Sequence, residues 1–310
     1  MHTAVNGFVD STSILDDPEA LRKRQAEDGY LFFRGLLPRD DVLGLRKQLM
    51  QVLDSYGWID TDRGNLLDGY AHRDAVNAIP LEELEFCGTG VPRSAYQDAQ
   101  RLQAFHALAH HPRLIALYEA LFGSAVLVHP RNIARLMLPR AGTAATPPHQ
   151  DYIHIQGTKN VRTCWIPIGD CPRELGGLSV LRGSHADGVL PVKAAQGAGG
   201  LETWLCNTGH EWLEGDFRAG DVLTFESRMV HRALPNQRDD VVRLSCDYRY
   251  QPAGDPIEPR SLKVHCDVLS WDDVYHGWTR DDLQYYWKEE QLLLAEWDES
   301  LRWQKEHICD

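Results

Sequence analysis

The alternation of apolar and polar positions divides the 310-residue chain into a helical first third, a middle of short strands and an aromatic tail. Asp17-Pro18-Glu19 is a helix start, a capping carboxylate followed by Pro in the first turn, and the helix is expected to end near Gly29. Tyr30-Leu31-Phe32-Phe33 reads as a strand closed by Gly35. From Pro38 onward, Val42, Leu45, Leu49, Val52 and Leu53 recur at helical spacing and predict a second helix with a core-facing stripe. Between Gly57 and Tyr96 the periodicity weakens, so residues 57–97 are expected to form an irregular insert that shapes substrate access. Ala99 to Phe122 is helical again, broken at Pro112 and ended by Gly123.

After Gly123 the period changes. Val126-Leu127-Val128, Ile133 to Leu138, Tyr152 to Ile155, Arg162 to Ile168, Leu178 to Leu181, Val222 to Phe225 and Val241 to Tyr250 are short apolar or alternating runs between turn residues. Many short strands without interleaved helices predict an antiparallel sandwich or barrel. The tail is expected to return to helix from Asp281 to Lys305. Its Trp278, Trp287, Trp297 and Trp303 should pack on the sheet or on a second copy of the chain, the place to look for a homodimer contact.

Composition narrows the partners. A formal net charge of −13 opposes nucleic-acid or anionic-membrane binding, and no basic run offsets it. The seven cysteines are scattered and include no Cys-x-x-Cys pair, which reads as reduced, buried thiols in a cytoplasmic protein. No signal peptide is apparent, and no apolar stretch is long enough to span a bilayer.

The candidate chemistry centres on Pro147-Pro148-His149-Gln150-Asp151-Tyr152. On a strand, residues two apart share a face, so His149 and Asp151 could reach one ion while Gln150 points away. His-x-Asp alone does not choose a site, because His72/Asp74, His185/Asp187 and His265/Asp267 match it too. Only His149/Asp151 has strand character, a later strand-borne His231 and then a strand-borne Arg243. Two His and one carboxylate with open positions form the facial triad of non-haem Fe(II) oxygenases. Arg243 fits that chemistry, since a co-substrate with a second carboxylate needs a permanently charged, bidentate partner. A turn through residues 235–239 would set His231 and Arg243 nearly opposite on neighbouring strands. A metal-binding sandwich of cupin type, carrying zinc or manganese as an isomerase, hydrolase or binding module, is the competing reading, and it leaves Arg243 without a task.

These residues resemble the phytanoyl-CoA dioxygenase family of Fe(II)- and 2-oxoglutarate-dependent oxygenases. The resemblance runs from Gly29-Tyr30-Leu31 and Leu36-Leu37-Pro38 through His149-Gln150-Asp151, Trp165, Gly176-Gly177-Leu178-Ser179-Val180, Gly183-Ser184-His185 and Gly220-Asp221 to His231, Asn236 and Arg243. It implies a mainly β protein with flanking helices, a double-stranded β-helix (jelly roll, cupin-like). The expected organisation is one oxygenase domain over 1–310: a mainly helical N-terminal region over 1–123, a jelly-roll core over 124–252 and a helical tail over 253–310. His149, Asp151 and His231 would bind Fe(II), Arg243 would anchor 2-oxoglutarate, and Trp165 and Gln150 would lie near co-substrate or substrate. With O2 the enzyme would oxidise an unactivated C–H bond of a small molecule, releasing succinate and CO2. Relatives often carry a hydroxyl two residues after the distal His, where this chain has Ala233; Thr163 is the candidate donor in its place. The presence of Asp151 points to hydroxylation or a related oxidation and away from halogenation. Substrates in the family range from acyl-CoA thioesters to natural products, and Lys159, Arg162, Arg173 and Arg182 are the candidate patch for CoA phosphates.

Overall fold

The computed structural model describes residues 7–141, 145–206 and 209–302. Helix α1 (Pro18–Asp28) begins with Asp17 accepting from the backbone N–H groups of Glu19 and Ala20, and it stops at Gly29 in the left-handed region. Strand β1 (Tyr30–Phe33) and helix α2 (Arg39–Ser55) follow as the pattern predicts. The insert is not irregular. It carries α3 (Arg73–Asn77), α4 (Leu81–Leu84) and the start of α5 (Arg93–Gln100), and the first two are too short to leave a periodic signal. Helices α6 (Gln103–Ala109) and α7 (Pro112–Phe122) are divided at Pro112, and Gly123 caps the second.

Strands β2 (Val126–Val128) and β3 (Ile133–Met137) open the β region. Tyr152 to Ile155, expected as a strand, is the one-turn helix α8 (Tyr152–Ile155). The carbonyl of Ser227 takes the Tyr152 N–H, and Asp151 already has helical φ and ψ, so the chain curls under the sheet edge. The strands β4 (Arg162–Pro167), β5 (Leu178–Arg182), β6 (Val192–Ala194), β7 (Leu201–Thr203), β8 (Glu211–Leu213), β9 (Val222–Glu226), β10 (His231–Ala233) and β11 (Arg243–Pro252) complete it.

Every strand pairing among the described residues is antiparallel. One sheet runs β1-β9-β4-β11-β2, with β3 also on β11; a second runs β10-β5-β8. Two antiparallel sheets with crossing connections form the jelly roll. The ten-residue β11 spans its sheet and alternates strictly. Leu244, Cys246, Tyr248 and Tyr250 face the helices, where Tyr250 stacks on Tyr118 at 3.9 Å and Tyr248 donates to the Phe105 carbonyl. Arg243, Ser245, Asp247 and Arg249 therefore occupy the other side, between the sheets.

The tail contains one short helix, α9 (Trp271–Tyr275), followed by 3-10 turns and an extended segment in which Leu294 bridges Ile257. Among the described residues, 281–302, the expected helix does not form, because the tryptophans of the tail serve separate partners. Trp287 is buried against Trp271, the Trp278 indole donates to the Arg101 carbonyl, and Trp297 lies 3.9 Å from the Arg260 guanidinium. Trp303 lies outside the described residues. The cysteines are also not all free: Cys87 and Cys266, 179 positions apart, form a disulfide that ties the insert to the tail. Cys206 is disulfide-bonded too, whereas Cys164, Cys171 and Cys246 are buried thiols. Among the described residues no helix is long and apolar enough to cross a membrane.

Candidate metal and co-substrate site

His149 and His231 face each other across an antiparallel bridge, each backbone N–H donating to the other's carbonyl at 2.9 and 3.0 Å. This direct opposition places their rings 4.1 Å apart. Asp151 arrives from the first turn of α8, not from a strand, yet its carboxylate joins them. Its Oδ1 lies 3.5 Å from His149 Nε2 and 3.9 Å from His231 Nε2. One ligand atom from each of the three buried residues falls within 4.8 Å of the others, the only such cluster among the described residues.

The surroundings orient those atoms. Nδ1 of His149 is 2.8 Å from the Pro147 carbonyl and Nδ1 of His231 is 3.0 Å from that of Met229. A carbonyl only accepts, so each Nδ1 carries a proton and each Nε2 is the nitrogen turned toward the cluster. Burial and the neighbouring His149 push the His231 imidazole down to about 3, so it stays neutral. Burial alone would raise Asp151, but the Arg249 guanidinium beside it overcomes this and holds the carboxylate well below its usual range. Its Oδ2 accepts from the Thr163 hydroxyl and from Arg249 at 3.3 Å, which leaves Oδ1 turned to the histidines. Two imidazole Nε2 atoms and one held carboxylate oxygen suit a divalent iron, with three ligands on one side.

An inner cleft runs from this cluster between the sheets, walled by Trp165, Phe225, Leu178, Ala233 and Arg243. Arg243 is buried, donates to the Ser245 hydroxyl at 2.7 Å, leaves its Nε without a partner and has no acidic partner among the described residues. Burial lowers its pKa, so the cation is held at a cost that a bound carboxylate would offset. His231 and Arg243 are not on neighbouring strands as expected. His231 pairs with Val180 in the smaller sheet and Arg243 with Met137 in the larger, because residues 234–242 cross between sheets. They meet across the cleft.

Two of the expected site residues are engaged with other partners. Gln150 is fully buried and its amide is spent on the carbonyls of Gly188 and Arg228 and the N–H of Leu190, which pins a loop. The Thr163 hydroxyl is committed to Asp151, and the hydroxyl beside Arg243 belongs to Ser245. Ser245, Asp247 and Arg249 escape motif reading, but the alternation Arg243-x-Ser245-x-Asp247-x-Arg249 within an apolar strand is the signal that could have found them.

A second, outer cleft adjoins the same cluster. It shares His149, Asp151, Arg135 and Arg249 with the inner one, and adds Arg131, Ile155 and Ser261. Arg135 bridges to Asp247 at 3.2 Å and donates to the Gly88 carbonyl, which docks the insert on this wall. His154 also faces the cleft, its ring 5.8 Å from that of His149, and burial and His149 hold it neutral with a pKa of about 3.

A jelly roll with this donor set and a buried arginine defines the class: an Fe(II)- and 2-oxoglutarate-dependent oxygenase, an enzyme that uses O2. The sequence model described as phytanoyl-CoA dioxygenase (PhyH) matches residues 26–244, and the chain belongs to that family. It is 32% identical over 268 residues to a 1-deoxypentalenic acid 11-beta-hydroxylase of Streptomyces arenae, covering 82% of this chain and 88% of the relative. A protein of the same description from Streptomyces exfoliatus is 28% identical, with the same coverage. Among solved structures, the epimerase SnoN in complex with Fe3+, alpha ketoglutarate and nogalamycin RO superposes with a TM-score of 0.54 at 22% identity, covering 79% of this chain and 87% of that one. EvdO2 from Micromonospora carbonacea var. aurantiaca, complexed with 2-oxoglutarate, gives a TM-score of 0.52 at 18% identity, covering 80% and 94%. At these identities the structural likeness concerns the fold.

Proposed function

We propose that the chain hydroxylates an unactivated C–H bond of a small organic molecule, with Fe(II) held by His149 Nε2, Asp151 Oδ1 and His231 Nε2. When bound, the iron supplies the oxidation, using O2 and turning 2-oxoglutarate into succinate and CO2. The protein's contribution is positional. The carbonyls of Pro147 and Met229 keep both imidazoles aimed, and Thr163 and Arg249 hold the carboxylate. Arg243, with the Ser245 hydroxyl, receives the far carboxylate of 2-oxoglutarate, and Trp165 and Phe225 keep water from the inner cleft. The outer cleft, which is lined by His149 and Asp151 but not by Arg243, then receives the substrate.

The observation that carries this reading is the buried, acid-free Arg243 in the same cleft as the three ligands. A cupin-type metal protein would have no use for it. A CoA thioester is disfavoured as substrate, since Arg162, Arg173 and Arg182 are each paired with an acid, Glu226, Glu214 and Asp28. The hydroxylases that the chain resembles act, by their names, on a small acid, in keeping with a compact substrate.

The test is an anaerobic titration of metal-free protein with Fe(II) and then 2-oxoglutarate, reading the weak visible charge-transfer band of the chelate. Wild type should show the band, Asp151→Ala should lose iron, and Arg243→Ala should keep iron but need far more 2-oxoglutarate. Iron binding without any band in wild type would hand the site to the cupin-type reading.

A further inference from the structure

The outer cleft carries an excess of positive charge in a chain whose formal net charge is −13. Three guanidiniums line it, from Arg131, Arg135 and Arg249, against one carboxylate, that of Asp151. Two of the three are occupied: Arg135 by Asp247, Arg249 by Asp151. Arg131 is different. Its one described hydrogen bond, 3.0 Å, goes to the backbone carbonyl of Arg260, and it forms no ion pair among the described residues. Burial and the nearby Arg249 both work against its charge, and Asp267 and Glu258 favour it without coming close enough to pair. Burial holds His265 of the cleft neutral. The contact with Arg260 fixes where Arg131 sits, because the turn Pro259–Leu262 also brings Ser261 into the cleft wall.

We propose that Arg131 is a specificity-determining residue, and that the substrate is an organic acid whose carboxylate it receives in the outer cleft. The inference rests on the oxygenase reading and adds to it the chemical class of the substrate. A half-buried guanidinium with spare donors and no acid binds a carboxylate far better than an isosteric neutral amide, because only the acid relieves its uncompensated charge. Arg243 cannot do this task while 2-oxoglutarate occupies the inner cleft. An anion at Arg131 would hold the apolar remainder of the molecule between the insert and the wall of Ile133 and Ile155, beside the iron ligands.

The experiment uses full-length protein loaded with Zn(II) and 2-oxoglutarate, so that no turnover occurs. It is titrated calorimetrically with three matched pairs: cyclohexanecarboxylate, decalin carboxylate and dodecanoate, each against its primary amide. At least one acid should bind roughly tenfold or more tightly than its amide. Arg131→Gln, which can keep the contact with the Arg260 carbonyl, should remove that preference, and Arg131→Lys should retain most of it. Both variants should bind 2-oxoglutarate as wild type does. Acids that bind no better than their amides, or a preference that survives in Arg131→Gln, overturn the proposal. Failure of wild type to take up 2-oxoglutarate in the first titration would instead count against the oxygenase reading, so the two failures are told apart.

Discussion

The hydroxyl of Thr163 donates to Oδ2 of Asp151, the oxygen that does not face the histidines. With Arg249 on the same oxygen, the carboxylate is fixed to present one atom, Oδ1, to a metal. Thr163→Val keeps the shape and removes the donor. It should weaken Fe(II) or Co(II) binding by roughly tenfold or more, and Thr163→Ser should restore it. Equal metal affinity in wild type and Thr163→Val, measured anaerobically, would assign the hydroxyl a packing role only.

Arg243 and Ser245 should act together on 2-oxoglutarate and not on the metal. Ser245→Ala removes a hydrogen-bonding partner, about 1 kcal/mol or several-fold in affinity. Arg243→Lys replaces a planar fork by a point charge and should cost at least about 2 kcal/mol. Titration calorimetry of the metal-loaded variants separates the two constants, and a loss of metal binding equal to the loss of 2-oxoglutarate would contradict this division.

Acid should destabilise the fold through two buried histidines. Burial pushes His106 and His129 down to about 4 from an ordinary 6.5, so the fold holds both neutral. Their contribution is present above about pH 6.5 and is lost as pH falls toward 4, because the unfolded chain takes up protons first. By pH 5 each should have cost about 2 kcal/mol. Urea unfolding at pH 7 and pH 5 reads the difference, and His129→Gln should shrink it. An unchanged midpoint would show that these histidines titrate normally.

The bond between Cys87 and Cys266 closes a loop of 179 residues, so its loss should be felt mainly as a freer unfolded chain. Cys87→Ser with Cys266→Ser should unfold at lower denaturant than oxidised wild type, by about 3 to 5 kcal/mol. Peptide mapping under non-reducing conditions identifies the linked pair. Two thiols open to alkylation in the untreated protein would refute the bond.

Several features of this molecule can be read from its residues. Asp17 and Gly29 bound α1, Pro112 and Gly123 bound α7, and the strand runs from Val126 to Tyr250 are mostly where alternation puts them. His149, Asp151, His231 and Arg243 all reach one cleft. What does not show is how they arrive. Asp151 is helical because a distant carbonyl, that of Ser227, captures the next N–H, and no local pattern reports that. His231 and Arg243 sit in facing sheets because the chain between them crosses over, a tertiary event that spacing cannot distinguish from a hairpin. The tail misleads for a related reason: its aromatic spacing suits a helix, but Trp287 and Trp297 are drawn to different neighbours.

Strand β11 sends its polar side chains into both clefts: Arg243 to the inner, Arg249 to the wall that the two share. The oxidising apparatus is therefore written largely on paired strands, where a one-residue slip would turn every group outward. Of the residues that line the outer cleft alone, Arg131, Ala198 and Ser261 lie on connections outside the sheets. A lineage could thus exchange one metabolite for another by altering loops, with the reaction carried over intact. Directed evolution of this scaffold should find new substrates at those three positions and lose turnover on the ladder of β11.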